Sequence, residues 1–353
     1  MTKQAFIQEL TKALAQVDSQ THSEIIADIS EHFTEGVSHG LSEEDICKKL
    51  GQPSQIAEQV LEEYRQVKGQ ASAMHHNANA EFANTQSILM TDFDEVFAGV
   101  RSVDIDLNIC NIEMVQDPQR QDIRVTIRGK NKPIYVTVEN NNGCLYVNQK
   151  GPLFSFGIFG FKSKLEATIY VPASFTGDIR AVTSVGNITI KGLTSNLRLN
   201  TSAGNIKIQD HVCSYAHLRS SAGNIRIKNC DISQIEAKSS AGNVKAEVRE
   251  TQNLTLSSSA GEVEVLATKL GGDTNLSSSA GTVYLEAQDV QGNITAKTSA
   301  GSVYIRLPRE VNCRINAKKS AIGSVHNNLV GNPNSPYVLY ASTSVGSVTL
   351  DAI

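Results

Sequence analysis

Ser220, Ser221, Gly223 and Asn224, within the stretch SSAGNIRI, are the residue types that surround a nucleophilic hydroxyl or cradle a phosphate. A nucleophile needs one serine set apart by a base and an oxyanion hole. Here the pattern recurs: Thr201, Ser220, Ser239, Ser258, Ser278 and Thr298 are each followed by a second serine, Ser202 to Ser299. His211 and His217 are the nearest bases, and neither singles out one hydroxyl. The loops also lack the Lys of a phosphate loop and the Asp of calcium-binding β-roll repeats. Cleavage of an acidic polysaccharide would need carboxylates clustered on one face. Eight residues past successive glycines stand Asp231, Glu250, Lys269, Asp289 and Arg309. Charges alternating in this way predict a solvated edge with weak ion pairs, not a catalytic dyad. The six cysteines, Cys47, Cys110, Cys144, Cys213, Cys230 and Cys313, form no CxxC pair and no zinc spacing. They read as buried or half-buried free thiols, which suits a reducing compartment. No catalytic, cofactor-binding or metal site is therefore expected.

The repeats instead define elements. Gly186, Gly204, Gly223, Gly242, Gly261, Gly281, Gly301, Gly323 and Gly346 follow one another at 18, 19, 19, 19, 20, 20, 22 and 23 residues. A period of about nineteen over so many copies predicts a β-solenoid, each coil covering its neighbour's apolar face. Two residues past each glycine comes a branched apolar residue, from Ile188 to Val348, and four past come Ile190, Ile208, Ile227, Ala246, Val265, Leu285 and Ile305. This alternation marks a strand. Ahead of the glycine, Ala203, Ala222, Ala241, Ala260, Ala280 and Ala300 are expected inside, together with Leu199, Leu218, Leu256 and the first hydroxyl of each pair. The inward set then changes phase at the glycine, so the glycine is a corner. The outward stripe three residues past the corners, Lys207, Arg226, Lys245, Glu264, Tyr284 and Tyr304, is the candidate binding surface, suited to an anionic glycan or a protein.

Residues 86–180 are a less regular beginning: VDIDLNICNIEM already resembles a degenerate coil, and IRVTIRG, IYVTVEN and CLYVNQ read as strands. Phe154, Phe156, Phe159 and Phe161 crowd the loop GPLFSFGIFGFKSK. That loop either plugs the solenoid's end or offers an apolar tip to a membrane or partner. The closing SVTLDAI is expected to leave a free strand edge, open to oligomer formation. IRVTIRG, the Gly/Phe loop, IYVPASFTGDI and the tandem SAGNI repeats together resemble the adhesin-like domain of bacteria, a large family of β-solenoids of unassigned activity. The resemblance covers roughly residues 90–353 and implies no catalytic residues. Some members are tied to cell-envelope stress.

Ahead of a linker at residues 67–85 stands a small helical head, residues 1–66, holding five Lys or Arg against twelve Asp or Glu. Its balance of −7 leaves +3 for the rest of a 353-residue chain at −4. An acidic head disfavours direct nucleic-acid binding, which draws on phosphate neutralisation. Phe6, Leu10, Leu14 and Val17 mark one helix; Ile25, Ile26, Ile29, Phe33 and Val37 mark a second, ended by Gly40. Ser42 with Asp45 opens a third, and Pro53 a fourth. FIQELTKAL with SEHFTEGVSHGLSEEDICKKLGQPSQIAEQVL resembles the HAAS domain of Gram-positive bacteria. That resemblance implies protein interaction and transcriptional or envelope-stress signalling, commonly beside membrane segments.

No stretch approaches the roughly eighteen apolar residues of a membrane span, and the N-terminus is amphipathic rather than signal-like. A cytoplasmic or membrane-peripheral location is expected, with the cell surface by an unrecognised export route as the alternative. With no tryptophan and 5% aromatics, a Trp-paved sugar cleft is set aside. The expectation is a two-domain α + β protein, a helical bundle joined to a parallel β-helix, that binds without catalysis. A carbohydrate-active enzyme on the same scaffold and a structural oligomer are the alternatives.

Overall fold

The computed structural model describes residues 1–17, 19–38, 40–58, 61, 86–90, 92–129, 134–149, 165–318 and 322–353. The chain divides into two compact units, one helical and N-terminal, the other built of strands.

The helical unit comprises α1 (Lys3–Ala13), α2 (Ser19–Ser38), α3 (Glu43–Leu50) and a helical run over residues 53–58. Ser42 caps α3 by accepting the Asp45 N–H at 3.2 Å, while its hydroxyl donates to the Asp45 carboxylate at 2.6 Å. Gly40 and Gly51 take the positive φ of 82° that ends a helix. Phe6 meets Phe33 edge to face at 5.6 Å, inside a core of Leu10, Leu14, Ile29, Ile46 and Ile56. Val37, expected on the apolar face of α2, is 53% exposed. That face continues through Gly36, where an added Cβ would lie 2.6 Å from the Ile46 δ-carbon, so α3 packs onto the glycine and leaves Val37 outside.

The second unit opens with β1 (Gln86–Met90), β2 (Asp92–Phe97), β3 (Ser102–Gln116), β4 (Ile123–Gly129), β5 (Ile134–Asn141), β6 (Cys144–Gln149) and β7 (Leu165–Val171). Its coils then run through β8 (Ile179–Val185), β9 (Ile188–Lys191), β10 (Leu197–Ala203), β11 (Ile206–Gln209), β12 (Val212–Ala222), β13 (Ile225–Ala241) and β14 (Val244–Thr251). They continue with β15 (Asn253–Ala260), β16 (Val263–Leu270), β17 (Thr274–Ala280), β18 (Val283–Val290), β19 (Ile294–Ala300) and β20 (Val303–Leu307). The chain closes with β21 (Glu310–Val311), β22 (Arg314–Lys318), β23 (Val325–Asn327), β24 (Val330–Gly331), β25 (Val338–Val345) and β26 (Val348–Ala352).

Segments ahead of the corner glycines stack in register as one parallel sheet, sheet A, and those after them as a second, sheet B. One continuous core fills the space between, from Ile105 and Ile112 through Leu199, Ile206, Leu218, Val263 and Leu285 to Leu350.

The corner explains the repeat. A Cβ on Gly223 would sit 2.0 Å from the carbonyl oxygen of Gly204 in the neighbouring coil, and one on Gly242 2.2 Å from that of Gly223. No side chain fits between backbones so close. Each such carbonyl accepts the inner hydroxyl of the next coil: Ser220 to Gly204 at 2.9 Å, then Ser239 to Gly223, Ser258 to Gly242, Ser278 to Gly261 and Thr298 to Gly281, each at 2.8 Å. The buried hydroxyl and the carbonyl of the half-buried glycine thus satisfy one another. Beside this column Asn111, Asn187, Asn205, Asn224 and Asn243 each accept, on the side-chain oxygen, the backbone N–H of the next coil, ending at Glu262.

Three expectations need correction. Ala203, Ala222, Ala241, Ala260, Ala280 and Ala300 are exposed, because the inner hydroxyl already fills the corner and the methyl projects outside the bend. Val185 and Val345, at the same position, are 50% and 52% exposed. Val325, expected inside, is 36% exposed because its coil is the terminal one. Nor does SVTLDAI form the edge. β25 lies between β19 and β22, and β26 between β20 and β23, so the last coil in sequence is the last but one in space. Gly346 accordingly stacks on Gly301 on one side, and on the other its N–H donates to the carbonyl of Ile322, the residue before Gly323.

The opposite end uses the same device. β3 spans both sheets and lies between the coil of β8 and β9 and the coil of β6 and β7. Antiparallel β5 and β4 then cover β6 and β7, with β1 and β2 outside them. This end is closed by buried Val136, Val138, Ile123, Val125 and Phe93.

Candidate functional site

The alternation of sheet B turns Lys207, Arg226, Lys245, Glu264, Tyr284 and Tyr304 to one face, and the ladder pairs each with the next. Adjacent strands in a sheet lie about 4.8 Å apart, so these side chains form a continuous column. They are not equivalent. The Lys245 ammonium meets Glu262 at 2.9 Å and also Glu264; these hydrogen bonds, Glu264 first, hold its pKa above the ordinary lysine value. The Tyr284 hydroxyl donates to Glu286 at 2.6 Å, and Arg306 reaches the same carboxylate at 2.8 Å. Burial, with that carboxylate second, raises the tyrosine's pKa. Tyr304 remains 41% exposed.

Lys207 and Arg226 differ from these: both are exposed, they stand directly opposite one another, and neither has an ion pair among the described residues. Lys228, two residues beyond Arg226, is a third exposed cation, but it stands between Gln209 on one side and the carboxylate-bearing Glu247 on the other. The column of Asn205 and Asn224 flanks them. Like charges directly opposite across strands cost stability, so this patch is a site where an anion would relieve repulsion.

A cleft of about 640 Å³ lies on the side away from the glycines, between Asp231, Ile232 and Ser233 on one wall and Arg249, Glu250 and Thr251 on the other. Its origin is a change of turn. Asp210 and Asn229 adopt a left-handed φ of 52°, which sends the chain early into sheet A. In the next coil β14 runs straight on to Thr251 in sheet B. Direct pairing therefore stops at Cys230 with Val248 and resumes at Gln234 with Asn253. The cleft does bring two carboxylates into one groove, as glycan cleavage would require. Both are committed: Asp231 accepts the Arg249 Nε at 2.9 Å, and Glu250 pairs with Lys269 at 3.1 Å. Cys213, also lining the cleft, has its thiol pKa pushed up to about 12, chiefly by burial.

The charged set eight residues past the glycines is in part the ladder expected from the sequence, with Glu250, Lys269 and Asp289 paired in succession. The cleft beside it was not foreseeable from the period, because the interval between glycines stays at 19 across the change of turn. The readable signal was local: Asp210 and Asn229 tolerate a left-handed turn, and Val248 at the matching position does not. His211 is wholly buried, its Nε2 donating to the Ser195 carbonyl at 2.8 Å, so it serves the core and no serine. Phe154, Phe156, Phe159 and Phe161 lie outside the described residues. No metal-binding cluster and no helix long and apolar enough to cross a membrane occurs among the described residues.

A family model described as Toastrack DUF4097 matches residues 100–350, and one described as HAAS matches residues 5–59. No curated protein matches the chain. Among solved structures, a candidate adhesin from Bacteroides fragilis is 18% identical, with 78% of this chain and 98% of that chain covered and a TM-score of 0.37. A candidate lipid-binding protein from Parabacteroides distasonis is 12% identical, covering 77% and 97%, with a TM-score of 0.41. A candidate adhesin from Parabacteroides merdae is 12% identical, covering 78% and 97%, with a TM-score of 0.35.

Proposed function

The chain belongs to the Toastrack DUF4097 family and carries an N-terminal HAAS domain, and on that premise we propose that it is a non-enzymatic binding protein whose solenoid holds an anionic polymer, such as an acidic glycan, on the outer face of sheet B. The observation that supports this reading is the pair Lys207 and Arg226, opposite one another and without an ion pair among the described residues, with Lys228 beside them. The acidic helical head docks a protein, and the whole serves a Gram-positive envelope-stress or regulatory system at the membrane periphery. The corner hydroxyls are engaged by glycine carbonyls, and the paired carboxylates of the cleft are engaged by cations, which favours binding over catalysis.

A capture experiment from cell-envelope extract separates the two roles. Deleting residues 1–66 is expected to lose the protein partners that dock on the head and keep the anionic polymer, and Lys207→Ser/Arg226→Ser/Lys228→Ser is expected to do the reverse. If neither change alters what is captured, the reading is wrong. The enzymatic alternative rests on Asp231 and Glu250 sharing the cleft. Turnover of a polyuronate that disappears in Glu250→Gln would favour it.

A further inference from the structure

The two ends of the solenoid are finished differently. Antiparallel strands finish the end at β6 and β7, with β1 and β2 outermost. At the other end β22 pairs with β25 and β23 with β26, and among the described residues no strand lies beyond either. The Arg314 N–H donates to the Tyr337 carbonyl, toward β25. Alternation then turns the backbone groups of Ile315 and Ala317 to the open edge. The side chains of those two residues face the core but are only half-buried. Beyond them Ile322 is 72% exposed and Val325 36%. The outward positions of the edge strand carry Arg314 and Lys318, both exposed and without an ion pair among the described residues. Lys318 instead lies over the Tyr340 ring at 5.5 Å, with Lys297 over the same ring at 5.1 Å.

We propose that this edge is a docking site for an extended acidic segment of a partner protein, which adds a strand beside β22. The chemistry is set position by position. In strand addition, backbone hydrogen bonds supply affinity and alternate side chains supply specificity. Apolar residues of the incoming strand would cover Ile315 and Ala317 and extend the core by one layer. Its acidic residues would fall beside Arg314 and Lys318. A second copy of this chain fits poorly. Two β22 strands related by a two-fold axis run antiparallel, and pairing all five residues sets Arg314 opposite the other copy's Lys318, a like-charge contact. The edge is thereby guarded against its own kind and open to the opposite charge. This site is separate from the cation patch on sheet B and does not depend on the reading given for that face.

Fluorescence anisotropy of the full chain with labelled heptapeptides of alternating sequence tests the proposal. A Glu–Val peptide is expected to bind saturably, and a Lys–Val peptide about tenfold or more weakly, since like-charge juxtaposition is costly. Methylating the Glu–Val backbone nitrogens, which removes strand pairing and keeps the charge, is expected to abolish binding. Arg314→Glu/Lys318→Glu is expected to exchange the preference for the two peptides. Ala317→Pro, which removes one edge N–H at a position where proline is tolerated, is expected to weaken Glu–Val binding with the fold intact by circular dichroism. Absence of binding, equal affinity for the two peptides, or indifference to N-methylation would overturn the proposal. So would a concentration-dependent dimer that Ala317→Pro dissolves, since the occupant would then be a second copy.

Discussion

Gly242→Ala is the sharpest perturbation of the corner. Gly242 has a φ of 156°, and its absent Cβ would lie 2.2 Å from the Gly223 oxygen and 2.6 Å from its carbon. A carbon and a carbonyl oxygen approach no closer than about 3.3 Å, so the two coils must part by roughly 1 Å there. Such a displacement breaks the hydrogen bond from the Ser239 hydroxyl to Gly223, now 2.8 Å, and that from the Gly223 N–H to Ala241, now 3.0 Å. Each is worth about 1 kcal/mol net, and an L-residue held at this φ adds about 1–3 kcal/mol. The expected loss is about 3–5 kcal/mol. Urea unfolding followed by circular dichroism measures it, with Ser240→Ala, an exposed position in the same repeat, as a control expected within about 0.5 kcal/mol. In a solenoid stability is close to a sum over neighbouring coils, so amide exchange should localise the loss to the coils flanking residue 242. A Gly242→Ala protein within about 1 kcal/mol of the parent would refute the account of the corner.

Ser239→Ala leaves the half-buried Gly223 carbonyl without its hydroxyl donor and is expected to cost about 1 kcal/mol in the same assay. Burial pushes the thiols of Cys110 and Cys213 up to about 12 and that of Cys230 to about 11. Alkylation at pH 8 is therefore expected to be slow at these three in the folded protein and fast in urea, as mass spectrometry of the labelled peptides reads directly. In the helical head, the Ser42 hydroxyl, and then the lysines at 48 and 49, hold Asp45 below the usual carboxylate pKa. A lowered folded pKa contributes stability above the unfolded value, lost as pH falls through the folded one. The gap in thermal midpoint between the parent and Ser42→Ala should therefore narrow as pH falls below the carboxylate range.

Much of the architecture was legible because the core writes itself into the period. Ile206, Ile225, Val244, Val263, Val283 and Val303 point inward as their spacing from the glycines predicts. The degenerate first coil could be recognised from Asn111 and Ile112, which sit in the asparagine ladder and beside Ile188. What escaped was spatial order. Insertion of β25 between β19 and β22 leaves each strand with the same apolar alternation, so the pattern of Leu339 and Ala341 is silent about which neighbours they meet. The alanines at the corners misled for a related reason: a small residue is compatible with a crowded interior and equally with the outside of a tight bend. In the candidate site the outward column was readable as a stripe. The pairing of Lys245 with Glu264, its neighbour in that stripe, was readable too; the further reach of Glu262 to Lys245, and of Arg306 to the Glu286 carboxylate that holds Tyr284, was not, because it depends on geometry rather than on the repeat.

The central claim, an anion-binding face on a non-catalytic solenoid, is tested most directly by titrating the full chain with a defined acidic polysaccharide in a calorimeter at two salt concentrations. The account predicts saturable binding that weakens with salt and is lost in Lys207→Ser/Arg226→Ser/Lys228→Ser. That variant is expected to be about as stable as the parent, because the like-charge pair of Lys207 and Arg226 is removed together with the opposite-charge pair of Lys228 and Glu247. Binding that is unchanged in the variant, or a parent protein that binds no polyanion at low salt, would contradict it.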